Sequence, residues 1–375
     1  MSLDRAAVKR ERALGPKAKG LMAHIALVIG SVLFSLLVLE AGCRLLRSGP
    51  EGLLQWPNLA HRLMRNSGDA NAPCAYAYDE TLGWLLPPNC ASPRFNVDAD
   101  GFRRMPAASS TTEPPILATG ASFTLGEEVA DDESWPAYLQ NLVGRKVVNA
   151  GVSGYSLDQT VLNTERVTPK VKPAFIVASF TPGDLRRSEL KVAWSREKPY
   201  FSVTDDGRLE LSNVPVPGHP GAPIPLPFAA RLLGRSVLAD EVVKRLGLQK
   251  GWYFDEAQGV PRGTGTTIGC LLMPRLAALG VPVVVVAEYG RSHWTADAEG
   301  KASNSRAVRK VLGCASQAGL IALDLADPMK PAVEARGIDA LFRTDHHSAE
   351  GNRVTADLIA QELVRRGLLS ESATR

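Results

Sequence analysis

The longest apolar run lies near the N-terminus, where only His24, Ser31 and Ser35 interrupt the stretch from Leu21 to Leu39. As a helix rising about 1.5 Å per residue it reaches roughly 28 Å, close to the ~30 Å hydrocarbon core of a bilayer. One transmembrane helix is therefore predicted over residues 21–43. Much shorter apolar runs recur from Pro115 onward: "ILATG", "KVVNAGV", "AFIVASF", "VPVVVVAEYG" and "LIALDL" read as buried strands. Segments with helical spacing separate them. "SWPAYLQNLVG" has Ser134 as N-cap and Pro136 in its first turn, and "LDQTVLNTERV", "CLLMPRLAALG", "SRAVRKVLGCASQAG" and "AEGNRVTADLIAQELVRRG" follow in turn. Strand and helix in alternation predict an α/β fold, a mostly parallel sheet covered on both faces.

The same patterning divides the chain. Residues 1–20 form a basic tail, 21–43 the span, 44–114 a loop-rich lead-in and 115–368 the α/β domain, with an insertion at 190–262. Within the insertion, "YFSVTDDGRLEL" reads as a hairpin turning at Asp206 and Gly207. The Pro-rich stretch at 214–227 that follows is a candidate substrate rim.

Charge adds an orientation. The tail carries six Lys and Arg against two acids, a surplus equal to the +4 of the whole chain, so the remainder is balanced. That balance excludes nucleic acid as an expected partner. Cations before the span place the N-terminus in the cytoplasm, and everything after Arg44 outside it. A cleaved signal peptide is the rival, but the apolar stretch exceeds the usual ~7–15 residues and no small-x-small site follows it. "LEAGC" is similar to a lipoprotein cleavage box, yet Glu40 stands where such boxes take an apolar residue. A retained anchor in the inner membrane, with the lipid bilayer as partner through residues 21–43, is the expectation. Beyond Cys43 there are four cysteines, and proximity favours the pairs Cys74–Cys90 and Cys270–Cys314 outside the cytoplasm. The last two, on helices, are alternatively buried thiols.

Three stretches carry candidate chemistry. In "ILATGASFTLGEE", Ser122 follows a strand and a glycine, the place where α/β sheets gather their active sites. Alone it reads more readily as a helix cap than as a nucleophile. In "VVNAGVSGYS", Gly151 and Gly154 end the next strand and let backbone N–H groups approach a bound group. In "FRTDHHSAEGN", Asp345, His346 and His347 precede the last helix, supplying an imidazole base and an acid to orient it, or else a polar turn. A metal shell of His346, His347 and Glu350 is the least favoured alternative, and no cofactor is expected. "GTGTTIG" at 263–269 resembles a dinucleotide loop, but no strand precedes it, and it reads as a flexible entry to a helix. Arg186 and Arg187 beside Asp184 are either a solvated helix face or a contact for an anionic substrate.

In order and flanking text, these stretches resemble the GDSL/SGNH hydrolases, including membrane-anchored bacterial members, over residues 116–366. "YDETLGWLLPPN" and "VDADGFR" are similar to the region before the first block of those anchored proteins. The resemblance implies a flavodoxin-like three-layer fold and an esterase, deacylase or acyltransferase acting on an acylated saccharide or lipid. By the same resemblance Ser122 is the nucleophile, and the N–H groups of Ser122 and Gly154 form the oxyanion hole. His346 is the preferred base, with the family's offset to Gly351, and His347 stays in play because it keeps D-x-H with Asp345, the implied acid.

Three departures stand out. Ala121 replaces the aspartate before the serine, and Arg343 and Thr344 fall where a D-x-x-H acid would be. The third block reads "FTPGDLRRS", so Gly183 stands where an asparagine would donate to the oxyanion. Loss of one such donor costs about 10²–10³ in rate, roughly 2.7–4 kcal/mol. The resemblance thus leaves open a weakened homologue that binds glycans or scaffolds an assembly, with the Gly183 backbone as a replacement donor.

Overall fold

The computed structural model describes residues 16–54, 56, 74, 76–108, 112–194, 196–217, 228–246, 248 and 263–370. They fall into two compact units, one drawn from residues 1–62 and 226–252, the other from 63–225 and 253–375.

The first unit is built on helix α1 (Pro16–Ser48), which is long and apolar enough by length and composition to cross a membrane. Leu27, Phe34 and Leu37 on it are exposed, whereas Glu40 and Arg44 near its end are buried. Glu40 owes its burial to a second helix, Val237–Arg245, whose first N–H groups have no intrahelical acceptor. Its carboxylate accepts from Val237 N and Leu238 N, both at 2.9 Å, and from the Ser236 hydroxyl at 2.7 Å. Arg44 Nε donates back to Glu40 at 2.6 Å.

The second unit contains a five-stranded parallel sheet: β1 (Ile116–Thr119), β2 (Val147–Asn149), β3 (Phe175–Phe180), β4 (Val283–Ala287) and β5 (Ile321–Asp324). In space they run β2-β1-β3-β4-β5, the flavodoxin-like order. Helices α2 (Ser122–Leu125) and α3 (Trp135–Val143) follow β1, and α4 (Leu157–Val171) follows β2. After β3 come α5 (Pro182–Arg187) and, past the insertion, α6 (Gly265–Ala277); β4 leads to α7 (Ala298–Gln317). Beyond β5 lie α8 (Ala326–Arg336) and α9 (Ala349–Arg365).

Alternation along the strands sorts the core into two layers. Leu117, Ile176, Ala178, Val283 and Val285 pack with α4, α6 and α7. Ile116, Ala118, Phe175, Val177, Val284 and Val286 pack with α3 and α9. The fold class expected from the sequence is therefore present, three layers with a parallel centre. The "GTGTTIG" stretch is mostly helix rather than flexible entry, because α6 starts at Gly265. Glycine is needed there, since a Cβ at Gly265 would lie 2.1 Å from the Leu185 carbonyl oxygen. A Cys270–Cys314 disulfide joins α6 to α7, and Cys74–Cys90 closes a loop in the lead-in.

Residues 76–108 of the lead-in are woven into this unit. Leu82, Trp84 and Val97 share a buried cluster with Ala121, Leu125, Val152 and Tyr155. Trp84 Nε1 donates to the Ser153 carbonyl at 3.0 Å, and Tyr155 Oη returns a bond to the Trp84 carbonyl at 2.7 Å. The insertion forms an antiparallel pair, Tyr200–Val203 with Leu209–Ser212, turning at Gly207 with φ +79°. Of the Pro-rich stretch proposed as a rim, residues 218–227 lie outside the described residues.

Candidate active site

At the end of β1 the chain must turn at once into α2. Only glycine fits the turn: a Cβ at Gly120 would lie 2.1 Å from Thr124 Oγ1 and 2.6 Å from Ser179 Oγ. Asn149, buried at the end of β2, ties this turn to the next. Its Nδ2 donates to the Thr124 carbonyl at 2.8 Å and its Oδ1 accepts from the Gly151 N–H at 3.0 Å. Ala121 occupies the N-cap position of α2, and no side chain caps that end. Ser122 is therefore not a cap, and its hydroxyl lies 2.7 Å from Nε2 of His346.

His346 reaches the serine from the loop before α9, and its Nδ1 lies 3.1 Å from Glu128 Oε1. Glu128 also accepts from the Thr344 N–H at 3.2 Å and from the Thr344 hydroxyl. Burial pushes the Glu128 carboxyl up, but hydrogen bonds from Thr344 and His346 and the charge of His346 outweigh it, leaving its pKa below the ordinary value. A carboxylate on Nδ1 favours the tautomer with its proton there and a lone pair on Nε2 facing the serine hydroxyl.

Asp345, the acid implied by the resemblance, is not brought to His346. Asp345 is exposed, and its Oδ1 accepts from the Ser292 N–H at 2.7 Å while its carbonyl accepts from the Arg291 N–H at 2.9 Å. The tight loop, closed by the Arg343 N–H on the His346 carbonyl at 2.9 Å, sends neighbouring side chains in different directions. One aims His346 at Ser122, the other aims Asp345 at the turn around Gly290.

The two histidines also separate. His347 is buried, with Nδ1 3.6 Å from Glu288 Oε2 and 3.4 Å from Thr355 Oγ1. Phe123 packs on both rings, at 4.9 Å from His346 and 5.0 Å from His347. Burial, with the neighbouring His346, holds the His347 pKa down at about 3, while burial pushes Glu288 up to about 8. Across that interval Glu288 is the protonated member of the pair and His347 is neutral. Glu350, third in the metal set considered from sequence, pairs with Arg336 and Arg353 instead. Among the described residues no group of three or more His, Cys, Asp or Glu side chains is arranged to hold a metal ion.

Strand order delivers the remaining groups. β2 and β3 flank β1, so Gly154 beyond β2 and Gly183 beyond β3 come to either side of the Ser122 strand end. Gly154 has φ +79°, and a Cβ there would lie 2.7 Å from the Trp194 ring, so both backbone and space require glycine. Neither the Ser122 nor the Gly154 N–H has an acceptor among the described residues. Gly183 lies in the first turn of α5.

Two residues of this arrangement escaped the sequence reading. Glu128 was visible as the second acid of "GEE", six residues past Ser122, in a chain whose last block lacks its usual acid. Arg103, the arginine of "DADGFR", is buried, and its guanidinium donates to the carbonyls of Leu125, Gly126 and Val129. It thereby clamps the loop that carries Glu128. Burial pulls its pKa down to about 10 against the opposing charge of Asp131.

No protein-family model and no curated protein sequence matches the chain. Several solved structures are similar to it at low identity. One is a protein of the G-D-S-L family from Desulfitobacterium hafniense DCB-2, at 11% identity and TM-score 0.33, covering 66% of this chain and 99% of that one. A catalytic mutant of an acetylxylan esterase from Geobacillus stearothermophilus follows at 15% identity and TM-score 0.40, covering 68% and 96%. A lipase/acylhydrolase from Enterococcus faecalis has 15% identity and TM-score 0.37, covering 68% and 97%.

Proposed function

We propose that this chain is a membrane-anchored serine esterase of the GDSL/SGNH type, working outside the cytoplasm on an acylated envelope polysaccharide or lipid. The observation that carries the reading is the relay of Ser122, His346 and Glu128, with contacts of 2.7 Å and 3.1 Å. Ser122 Oγ forms a bond to the ester carbonyl carbon as its proton passes to His346 Nε2, and the carbonyl π pair moves onto oxygen. The resulting oxyanion meets the N–H groups of Ser122 and Gly154. Collapse breaks the bond to the leaving alkoxide, which takes the proton from His346. Water then releases the acid, or a sugar hydroxyl accepts the acyl group in a transferase. Glu128 fixes the ring and stabilises the imidazolium, the role that sequence gave to Asp345.

The anchored, extracytoplasmic setting is supported by the apolar helix α1, the basic residues before it and two disulfides. The proposed organisation is a cytoplasmic tail at 1–20, a span at 21–43 and a catalytic region outside, with the sheet domain at 115–368 fed by the lead-in at 44–114. The alternative, a weakened homologue that binds glycans, draws on one feature, the absent side chain at Gly183.

Fluorophosphonate labelling of the detergent-solubilised full chain, beside Ser122→Ala, decides between them. Labelling that disappears in the variant is the expected result. A folded wild-type chain that does not label would instead support the binding protein.

A further inference from the structure

Resting on the esterase reading above, we propose that Arg187 supplies the oxyanion donor that position 183 lacks. Strand order gives the first argument. Arg187 closes α5, which follows β3, yet its Nη2 donates to the carbonyl of Tyr155, beyond β2, at 3.2 Å. Arg187 thus bridges the turn beyond β3 to the turn beyond β2, and β1, at whose carboxyl end Ser122 begins α2, lies between those two strands.

The missing side chain gives the second. A Cβ placed at Gly183 would lie 3.2 Å from Arg187 Nη1, with Thr181 Oγ1 next at 3.5 Å. The guanidinium therefore borders the volume into which an asparagine at 183 would extend. An asparagine there would press on Arg187 Nη1, which must shift by a few tenths of an ångström to admit it.

The third argument is that the arginine is held and has a donor to spare. Asp184, almost wholly buried, accepts from Nη2, and the Trp194 ring lies 5.4 Å from the guanidinium carbon. Trp194 in turn donates from Nε1 to the Gly154 carbonyl at 3.2 Å, and its φ of +52° lies where non-glycine residues are uncommon. Arg187, Trp194 and Gly154 thus stand side by side next to the other proposed donors. Nη1 has no acceptor among the described residues, and the side chain is 19% exposed, so this edge opens to the crevice. Fixed by Asp184, the guanidinium needs no reorientation as the oxyanion forms.

Steady-state hydrolysis of p-nitrophenyl acetate by the full chain in detergent tests this. Arg187→Gln is expected to lower kcat about 10²–10³-fold with KM little changed, the size of one lost oxyanion donor. Guanidinium ion added at millimolar concentration should restore part of the kcat of Arg187→Ala, and Gly183→Asn in that background should restore part of it without the ion. A merely structural arginine gives neither rescue. An active wild type whose Arg187→Gln variant keeps its kcat, or whose loss is confined to KM or follows a lowered melting temperature without rescue, overturns this inference and leaves the esterase reading standing. A wild type that neither turns over ester nor labels at Ser122 overturns the esterase reading and this inference with it.

Discussion

At the residue scale the issue is which acid serves His346. Glu128 touches Nδ1 at 3.1 Å, and Asp345 is engaged by the Ser292 N–H. Glu128→Gln keeps the shape but removes the charge that stabilises an imidazolium, and an amide can turn its NH₂ toward Nδ1 and impose the wrong tautomer. The expected loss in kcat on an acetyl ester is about 10²–10⁴-fold, the range spanned by positioned acid–base groups and their orienters. Asp345→Asn should leave kcat nearly unchanged. The reverse ranking, read from the same assay, would return the acid to Asp345. The sequence already held the ambiguity, because D-x-x-H was absent and no adjacent aspartate can be assigned without knowing which way a four-residue loop turns.

At the element scale, strands and long helices were legible because each alternation of burial leaves a period in the text. The five strands lie within the quoted apolar runs, and Ser134 caps α3 as its position before Trp135 and Pro136 suggests. What was illegible depends on contacts between elements remote in sequence: Glu128 with His346, Arg103 with the loop after α2, and Glu40 with the helix at 237–245. Helix α8 was not among the predicted elements. The Glu288–His347 pair, where the end of β4 meets the approach to α9, is another such remote contact, and it sets a pH dependence. Folded, the pair keeps one proton between pH values of about 3 and 8. Unfolded, the two groups hold two protons below about 4.5, one up to about 6.5 and none above. Stability therefore rises with pH up to about 4.5 and then, from this pair, stays level to about 6.5. Above that the unfolded chain binds fewer protons than the folded one, so stability falls until about 8. Melting temperatures across this range should show that alkaline decline in the wild type and its loss in Glu288→Gln. An identical slope in both proteins would remove Glu288 as the cause.

At the scale of the whole chain, the end of α1 makes a contact with a helix remote in sequence. Glu40 directly follows the apolar run that ends at Leu39, and α1, 33 residues long, passes it before ending at Ser48. There the acid is compensated twice, by Arg44 at 2.6 Å and by the N-terminal N–H groups of the helix Val237–Arg245. The helix so capped belongs to a segment nearly two hundred residues away, so α1 and residues 226–252 fall in one folded unit. Replacing a capping group costs about 0.5–2 kcal/mol, enough to shift a nine-residue helix toward opening. Glu40→Ala in the full chain should therefore speed limited proteolysis within residues 228–246, whereas alkaline washing should still leave the variant in the membrane. Unchanged cleavage would show that the segment holds without Glu40. Release by alkali from both proteins would show that α1 does not span the bilayer at all, and the basic tail before it would then mark no topology.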